Sequence, residues 1–302
     1  MKVFVTGASG YIGNAVAQAF SLSGHAVSGL IRSEQKAQLL RRAEIVPVIG
    51  DLVKPDSYRQ AIKEAEVIVH CASDHSLQSD ALDNSFIDNL LVETKGPSIS
   101  QKTIIYTSGV WGVGNTGSQI VDEAVRRNPL ESVKWRNRIE EKLLDLASSH
   151  LRTVIISPGC VYGGLGGLTS FWFSTAKDGS IEIVGSGENR WAMVHVADLA
   201  QAYVLAAEKE IDRGIFYIVD HTHYTVKEMA LASVKATGVS DKVHNLLESE
   251  AAKKFGSGLA SGLLIDQQIS NERAARLLEW RPRHKGFIED IDRYYETWKA
   301  FL

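Results

Sequence analysis

Cysteine is scarce: Cys71 and Cys160 are the two in 302 residues. They are too few and too far apart for a disulfide framework or a metal site, so reduced thiols in a cytoplasmic protein are the plainer reading. Charge of one sign is missing as well, since 33 Lys and Arg against 36 Asp and Glu leave a formal charge of -3. That balance offers no basic footprint for nucleic acid or an anionic membrane. No stretch approaches the roughly 20 consecutive apolar residues that a membrane-crossing helix needs. Internal repeats and low-complexity tracts are lacking, and the opening "MKVFVTG" runs straight into an apolar strand with no basic region or cleavage site. The expectation is a protein without metal, nucleic-acid partner or membrane anchor. With 44% hydrophobic and 23% charged residues, a chain of this length buries most of its apolar surface without staples.

Short β-branched runs are plentiful: "KVFVT", "AVSGLI", "EIVPVIG", "EVIVHCA", "TIIYTS" and "RTVIIS". Between them lie "GNAVAQAFSLSG", "SEQKAQLLRR", "DSYRQAIKEA" and residues 79–93, with apolar spacing near the helical period. Nearly continuous apolar strands alternating with helices predict an α/β fold, a doubly wound parallel sheet covered on both faces. After Ser157 the texture loosens into "GCVYGGLGGL", "FWF" and "VGSGENRW". This change places a domain boundary at 158/159. Residues 159–302 are expected to form a smaller, discontinuous, α-rich C-terminal domain, with 195–222 returning in part to the sheet. A crevice between sheet and smaller domain is the expected ligand site.

"VTGASGYIG" sets Gly7, Gly10 and Gly13 directly after the first strand and at the start of a helix. Glycines there allow a tight turn, close approach of backbone to a pyrophosphate, and close packing of helix on sheet. The free N–H groups and positive end of the helix then face the phosphates. Gly7, Ser9, Gly10, Tyr11, Ile12 and Gly13 are therefore candidate cofactor-binding residues.

The spacing is Gly-x-x-Gly-x-x-Gly, and with it the chain resembles the short-chain dehydrogenase/reductase superfamily in its extended, epimerase/dehydratase-like and atypical branch. The likeness rests on five ordered matches: "GDLVKP", "VIVHCAS", "SPGCVYG", "MVHVADLAQAY" and "SNERAARLLEWRP". It implies a Rossmann sheet and a nicotinamide cofactor. It also implies roles: Asp51 and Leu52 on adenine, Cys71, Ala72, Ser73 and Thr107 beside the cofactor, and Pro158, Gly159 and Val161 over the nicotinamide. The second strand ends in "GLIRS", with Arg32 where an NAD-selective protein places an acid. Arginine forms charge-assisted hydrogen bonds to a 2′-phosphate and Ser33 adds another, so NADP(H) is the expected cofactor.

In that superfamily a Tyr-x-x-x-Lys pair moves the proton, but "ESVKWRNRIEEKLLDL" (131–146) contains no tyrosine. Two registers put Ser132 and Arg136, or Val133 and Asn137, at the two places. Arg136 could hold the nicotinamide ribose or polarise a carbonyl as a fixed cation, or form a plain surface pair with Glu140. Ser108, with Gly109 where the family's substrate-binding hydroxyl usually sits, Tyr162 and His75 are the other candidate catalytic residues. His195 and Asp198 read as structural. Trp111, Trp172 and Trp191 line either an apolar substrate pocket or the core. The expected function is NADP(H)-dependent oxidation or reduction of a small organic molecule's carbonyl or alcohol. A sugar-derivative epimerase or dehydratase and a non-catalytic NADP-binding sensor are the rivals. The resemblance also makes the helix over 133–149 a candidate homodimer face.

Overall fold

The computed structural model describes residues 1–73, 79–94, 101–239 and 243–302. The first third alternates strand and helix: β1 (Lys2–Thr6), α1 (Tyr11–Leu22), β2 (Ala26–Ile31), α2 (Glu34–Arg41), β3 (Val46–Ile49), α3 (Arg59–Glu64), β4 (Val67–His70), α4 (Ser79–Thr94) and β5 (Lys102–Thr107). Next come β6 (Ile120–Val121), α5 (Lys134–Asp145), β7 (Leu151–Pro158), β8 (Cys160–Tyr162), α6 (Thr169–Ala176), β9 (Ile181–Val184), β10 (Met193–His195), α7 (Val196–Glu208) and β11 (Arg213–Ile218). The chain continues through α8 (Val226–Thr237), β12 (Val243–Leu246), α9 (Glu248–Phe255), α10 (Ser257–Leu263), β13 (Gln268–Ile269), α11 (Glu272–Leu277) and α12 (Ile291–Lys299).

Two compact units emerge. The first comprises Met1–Ser108, Trp135–Ile156 and Ala200–Phe216; the second comprises Gly109–Lys134, Ser157–Leu199 and Tyr217–Leu302. Residues 109–134 group with the second unit although they precede the change of texture at 158/159. The reason is long-range pairing: β6 lies in register with β13, Ile120 opposite Gln268 and Val121 opposite Ile269.

In the first unit seven strands follow the order β11-β7-β5-β4-β1-β2-β3, and the pairs from β7 to β3 are parallel. Chain order reverses between β1 and β4, the position at which doubly wound sheets bind ligands beyond their carboxyl ends. Every residue of β4 is buried, as are all but the first of β1 and all but the last of β5. That continuous burial is why these strands read as unbroken apolar runs. On one face Phe4, Tyr58, Ile68, Phe86, Ile104, Ile139 and Leu143 share a cluster. The buried Lys102 ammonium, whose pKa desolvation lowers, donates to the carbonyls of Ile62 (3.1 Å), Lys63 (2.9 Å) and Ala65. It thereby satisfies carbonyls at and beyond the end of α3 that the helix itself leaves open.

The second unit carries three two-stranded pairings, β10 with β8, β12 with β9, and β13 with β6. Its core is aromatic: Tyr162, Trp172, Trp191, Phe287, Tyr294 and Trp298 belong to one buried cluster. Helix α8 begins with a capping box of Thr225 and Glu228 and ends at Gly238, whose φ of 70° suits glycine. Among the described residues no helix is long and apolar enough to cross a membrane.

His195 sits at the end of β10 with its ring stacked 3.5 Å from that of His284, which pairs with Asp198 at 3.0 Å. Asp198 also accepts the backbone N–H groups of Arg283 and His284, each at 3.0 Å. Burial, then repulsion from His284, lowers the His195 pKa from 6.5 to about 4. Between those values the unfolded chain binds the extra proton, so stability rises with pH across the window and is lost as pH falls. Going from pH 7 to pH 4.5 should therefore cost about 2–3 kcal/mol through this group. Urea unfolding at both pH values should show that loss in the native chain and a correspondingly smaller one in His195→Gln. Equal losses would contradict it.

Candidate functional site

The turn after β1 is built at backbone distance from the end of β4. Gly7 has φ +69°, and a Cβ there would stand 2.8 Å from the Ala72 backbone. A Cβ on Gly13 would stand 2.3 Å from the Gly7 carbonyl oxygen. Gly10 differs: its φ is an ordinary -84°, and a Cβ would meet only the Gly7 oxygen, at 3.2 Å. Gly10 is the N-cap of α1, and among the described residues no side chain caps this positive helix end and no acid stands in its first turn.

Beyond the turn opens a cleft of about 400 Å³. Of the residues expected at a cofactor, Gly7, Ser9 and Gly10 line it after β1, Arg32 after β2, Asp51 and Leu52 after β3, and Cys71, Ala72 and Ser73 after β4. Tyr11, Ile12 and Gly13 form the first turn of α1 behind them. Ser33 is the N-cap of α2, in extended backbone, without a side-chain cap bond. Among the lining residues not anticipated are two charged ones: Lys36, in the first turn of α2, and Asp83 on α4. The uncovered helix end, the glycine turn that a side chain would fill, and two cations at one end fit a phosphate-bearing dinucleotide.

At the carboxyl end of β5 the hydroxyls are already engaged. Thr107 Oγ1 donates to Cys71 Sγ at 3.2 Å and receives the Tyr203 hydroxyl at 2.8 Å. Burial pushes the Cys71 thiol up to about 12, which keeps it protonated and unreactive. Ser108 donates its hydroxyl to the buried carboxylate of Glu140 on α5. Arg136, one turn earlier on that helix, stacks on Trp135 with its guanidinium carbon 4.6 Å from the ring centre. Its NH1 donates to the Thr107 carbonyl at 3.0 Å and approaches the Tyr106 hydroxyl at 3.5 Å, while NH2 reaches Ser73 Oγ at 3.5 Å. Arg136 is thus turned toward the strand ends and reaches the cleft at Ser73.

Beneath it runs a buried polar chain. Tyr106 donates its hydroxyl to Asp83 Oδ2 at 2.6 Å, Asp83 Oδ1 lies 3.2 Å from His70 Nε2, and His70 Nδ1 lies 2.9 Å from Thr6 Oγ1. Burial alone would raise the Asp83 carboxyl, but the His70 hydrogen bond and charge, the Tyr106 hydroxyl and the Arg136 charge together hold it below its ordinary range.

The other candidates belong to the second unit or lie outside the described residues. Tyr162 is fully buried in the second unit and gives its hydroxyl to Asp220 Oδ2 at 2.9 Å; burial, then the Asp220 charge, pushes its pKa far up. Pro158 ends β7, the Gly159 N–H donates to the Ile218 carbonyl at 3.1 Å, and Val161 pairs with Val194. These also belong to the second unit. His75 lies outside the described residues.

The three glycines should separate fold from binding. Gly10→Val should still fold, at a cost of about 1 kcal/mol at this N-cap, yet lose at least a hundredfold in dinucleotide affinity. Gly13→Ala should lose about 1–3 kcal/mol of stability because backbone must move to admit it. Calorimetric titration with NADPH beside thermal melting checks both, and native affinity in a folded Gly10→Val would remove the phosphate role of this turn.

Comparison with known proteins shows the family and the fold. The family model described as NAD(P)H-binding matches residues 7–210. An uncharacterized protein of Schizosaccharomyces pombe is 30% identical over 98% of this chain and 100% of its own. The decarboxylating sterol-4-alpha-carboxylate 3-dehydrogenase of Dictyostelium discoideum is 24% identical over 83% of this chain and 81% of its own. Among solved structures, the UDP-glucose 4-epimerase of Thermotoga maritima with UDP-glucose covers 100% of both chains with a TM-score of 0.84 at 18% identity, a likeness of fold. The chain belongs to the NAD(P)H-binding family, with the fold of the extended short-chain dehydrogenase/reductases.

Proposed function

We propose that this protein is an NADP(H)-dependent oxidoreductase acting on a carbonyl or alcohol of a small organic molecule, with Arg136 in place of the family's usual acid–base pair. The observation that carries the reading is the Arg136 guanidinium, held at the end of β5 within reach of Thr107 and Ser73. The cofactor supplies or accepts the hydride; the remaining work falls to the chain. The open end of α1 and the Gly7–Gly10 turn bind the pyrophosphate, Asp51 and Leu52 take the adenine, and Ala72 and Ser73 flank the ribose-nicotinamide side. Arg136 is a fixed cation that orients the ribose and draws electron density from the substrate oxygen in reduction. Arginine is a poor proton donor, so the proton that completes the alcohol comes from another group or from water.

Selectivity for NADP(H) rests on Arg32 and Lys36, neither of which has an ion-pair partner among the described residues. Two cations, one at the end of β2 and one in the first turn of α2, suit a 2′-phosphate dianion. A second reading, an NADP(H)-binding sensor without turnover, draws on the engaged hydroxyls: Thr107 is taken by Cys71 and Tyr203, and Ser108 by Glu140. Turnover separates the two, because a sensor binds the cofactor and leaves its absorbance unchanged with every carbonyl offered. An epimerase would alter its substrate and return the cofactor unchanged.

Native protein should bind NADPH more tightly than NADH. Arg32→Ala should weaken NADPH roughly tenfold to a hundredfold and leave NADH nearly unaffected. Lys36→Ala should act in the same direction and more weakly. Equal native affinities for the two cofactors would sink the NADP(H) assignment. Arg136→Ala should lower cofactor affinity or turnover at least tenfold, and Arg136→Lys should recover part of it, since a point charge lacks the planar fork. An alanine variant with native binding and turnover would make Arg136 scaffolding.

A further inference from the structure

We propose that the second unit contains a binding site for an uncharged, flat, apolar small molecule. The proposal stands on that unit alone and is independent of the redox reading of the first. The cavity has about 520 Å³ and opens among α6, β9, α8, α9 and α10. That volume lies within the range of about 300–1,000 Å³ typical of small-molecule sites.

The walls decide the chemistry. Trp172 and Trp191 line the cavity and stack on each other, centroids 5.4 Å apart and planes within 11°. Both indole N–H groups are consumed inside the protein: Trp172 donates to the Glu182 carbonyl at 3.0 Å, and Trp191 to the Leu263 carbonyl at 3.1 Å. The rings therefore present a π surface and no donor to an occupant. Ser170 turns its hydroxyl back to the Gly167 carbonyl at 2.7 Å. Among the described residues that line the cavity none is Lys, Arg or His, so a phosphate or carboxylate would find no partner inside. The lining acid, Glu182, is held by Lys254 in an ion pair, and that ammonium also lies 5.4 Å from the Phe255 ring centre and 5.9 Å from that of Phe171.

The rim adds an independent observation. Phe171 lines the cavity and is 37% exposed, in edge contact with Phe255 at 5.2 Å. A large aromatic left in water at the mouth of an apolar cavity is a surface that an apolar ligand would cover. Ser174, exposed and also lining, marks a position where added bulk would meet the occupant before it met the core.

N-phenyl-1-naphthylamine, an uncharged aromatic amine whose emission rises on leaving water, is the probe. Titrated into the full chain it should saturate at one site, with energy transfer from tryptophan to the bound probe. Ser174→Trp should narrow the cavity and Leu259→Glu should place a charge in it, each weakening the probe at least tenfold while thermal melting confirms that the variant is folded. Uridine diphosphate in large excess should not displace the probe. The proposal fails if the native chain shows no saturable binding or no energy transfer. It fails equally if both folded variants bind like native, or if the diphosphate competes.

Discussion

The first unit depends on one close approach, that of the turn after β1 to the end of β4. Gly7 occupies a left-handed backbone conformation that costs most residues about 1 kcal/mol or more, and leaves no room for a side chain against Ala72. With that contact made, α1 begins where its N-terminal end faces the cleft, and Cys71, Ala72 and Ser73 line the cleft beside it. A larger residue at position 7 would move helix and wall apart together. Position 10 is the part of the same turn where space is left for something other than protein.

The second constraint is a positioned charge, that of Arg136, which forms no ion pair among the described residues. Arg136 packs on Trp135 and gives its hydrogen bonds to a carbonyl and to hydroxyls. The nearest carboxylate in that chain, Asp83, is reached through Tyr106, and its low pKa reflects His70 together with the Arg136 charge. A half-buried cation with no ion-pair partner among the described residues is suited to attracting a further negative group at the cleft. The Ser108–Glu140 bond fixes the neighbouring strand end to α5, so the helix and β5 hold the arginine from two sides.

Much of this was legible in the chain because it is local. The glycine spacing, the Asp51–Leu52 pair, the Cys71–Ser73 segment and Arg32 each follow a strand directly, and a parallel sheet brings all such strand ends to one edge. Periodicity likewise carried the strands and helices of the first unit, where burial on both faces leaves unbroken apolar runs. Lys36, Asp83, Glu140 and Tyr203 were not legible as site residues. They arrive on helices, and which face of a helix turns inward is settled by packing against residues far along the chain. Position 136 raised a different problem: its sequence neighbourhood allowed both an outward pair with Glu140 and an inward role, and only packing on Trp135 and β5 distinguishes them. The grouping of 109–134 with the second unit rests on β6 pairing with β13, about 150 residues away. No local pattern announces that.

A crystal structure of the protein with NADP⁺ bound tests the central claim most directly. The account predicts the pyrophosphate against Gly10 at the open end of α1, the 2′-phosphate between Arg32 and Lys36, and the nicotinamide ribose within hydrogen-bond reach of Arg136. A cofactor found with its 2′-phosphate in solvent and its ribose away from Arg136 would contradict it.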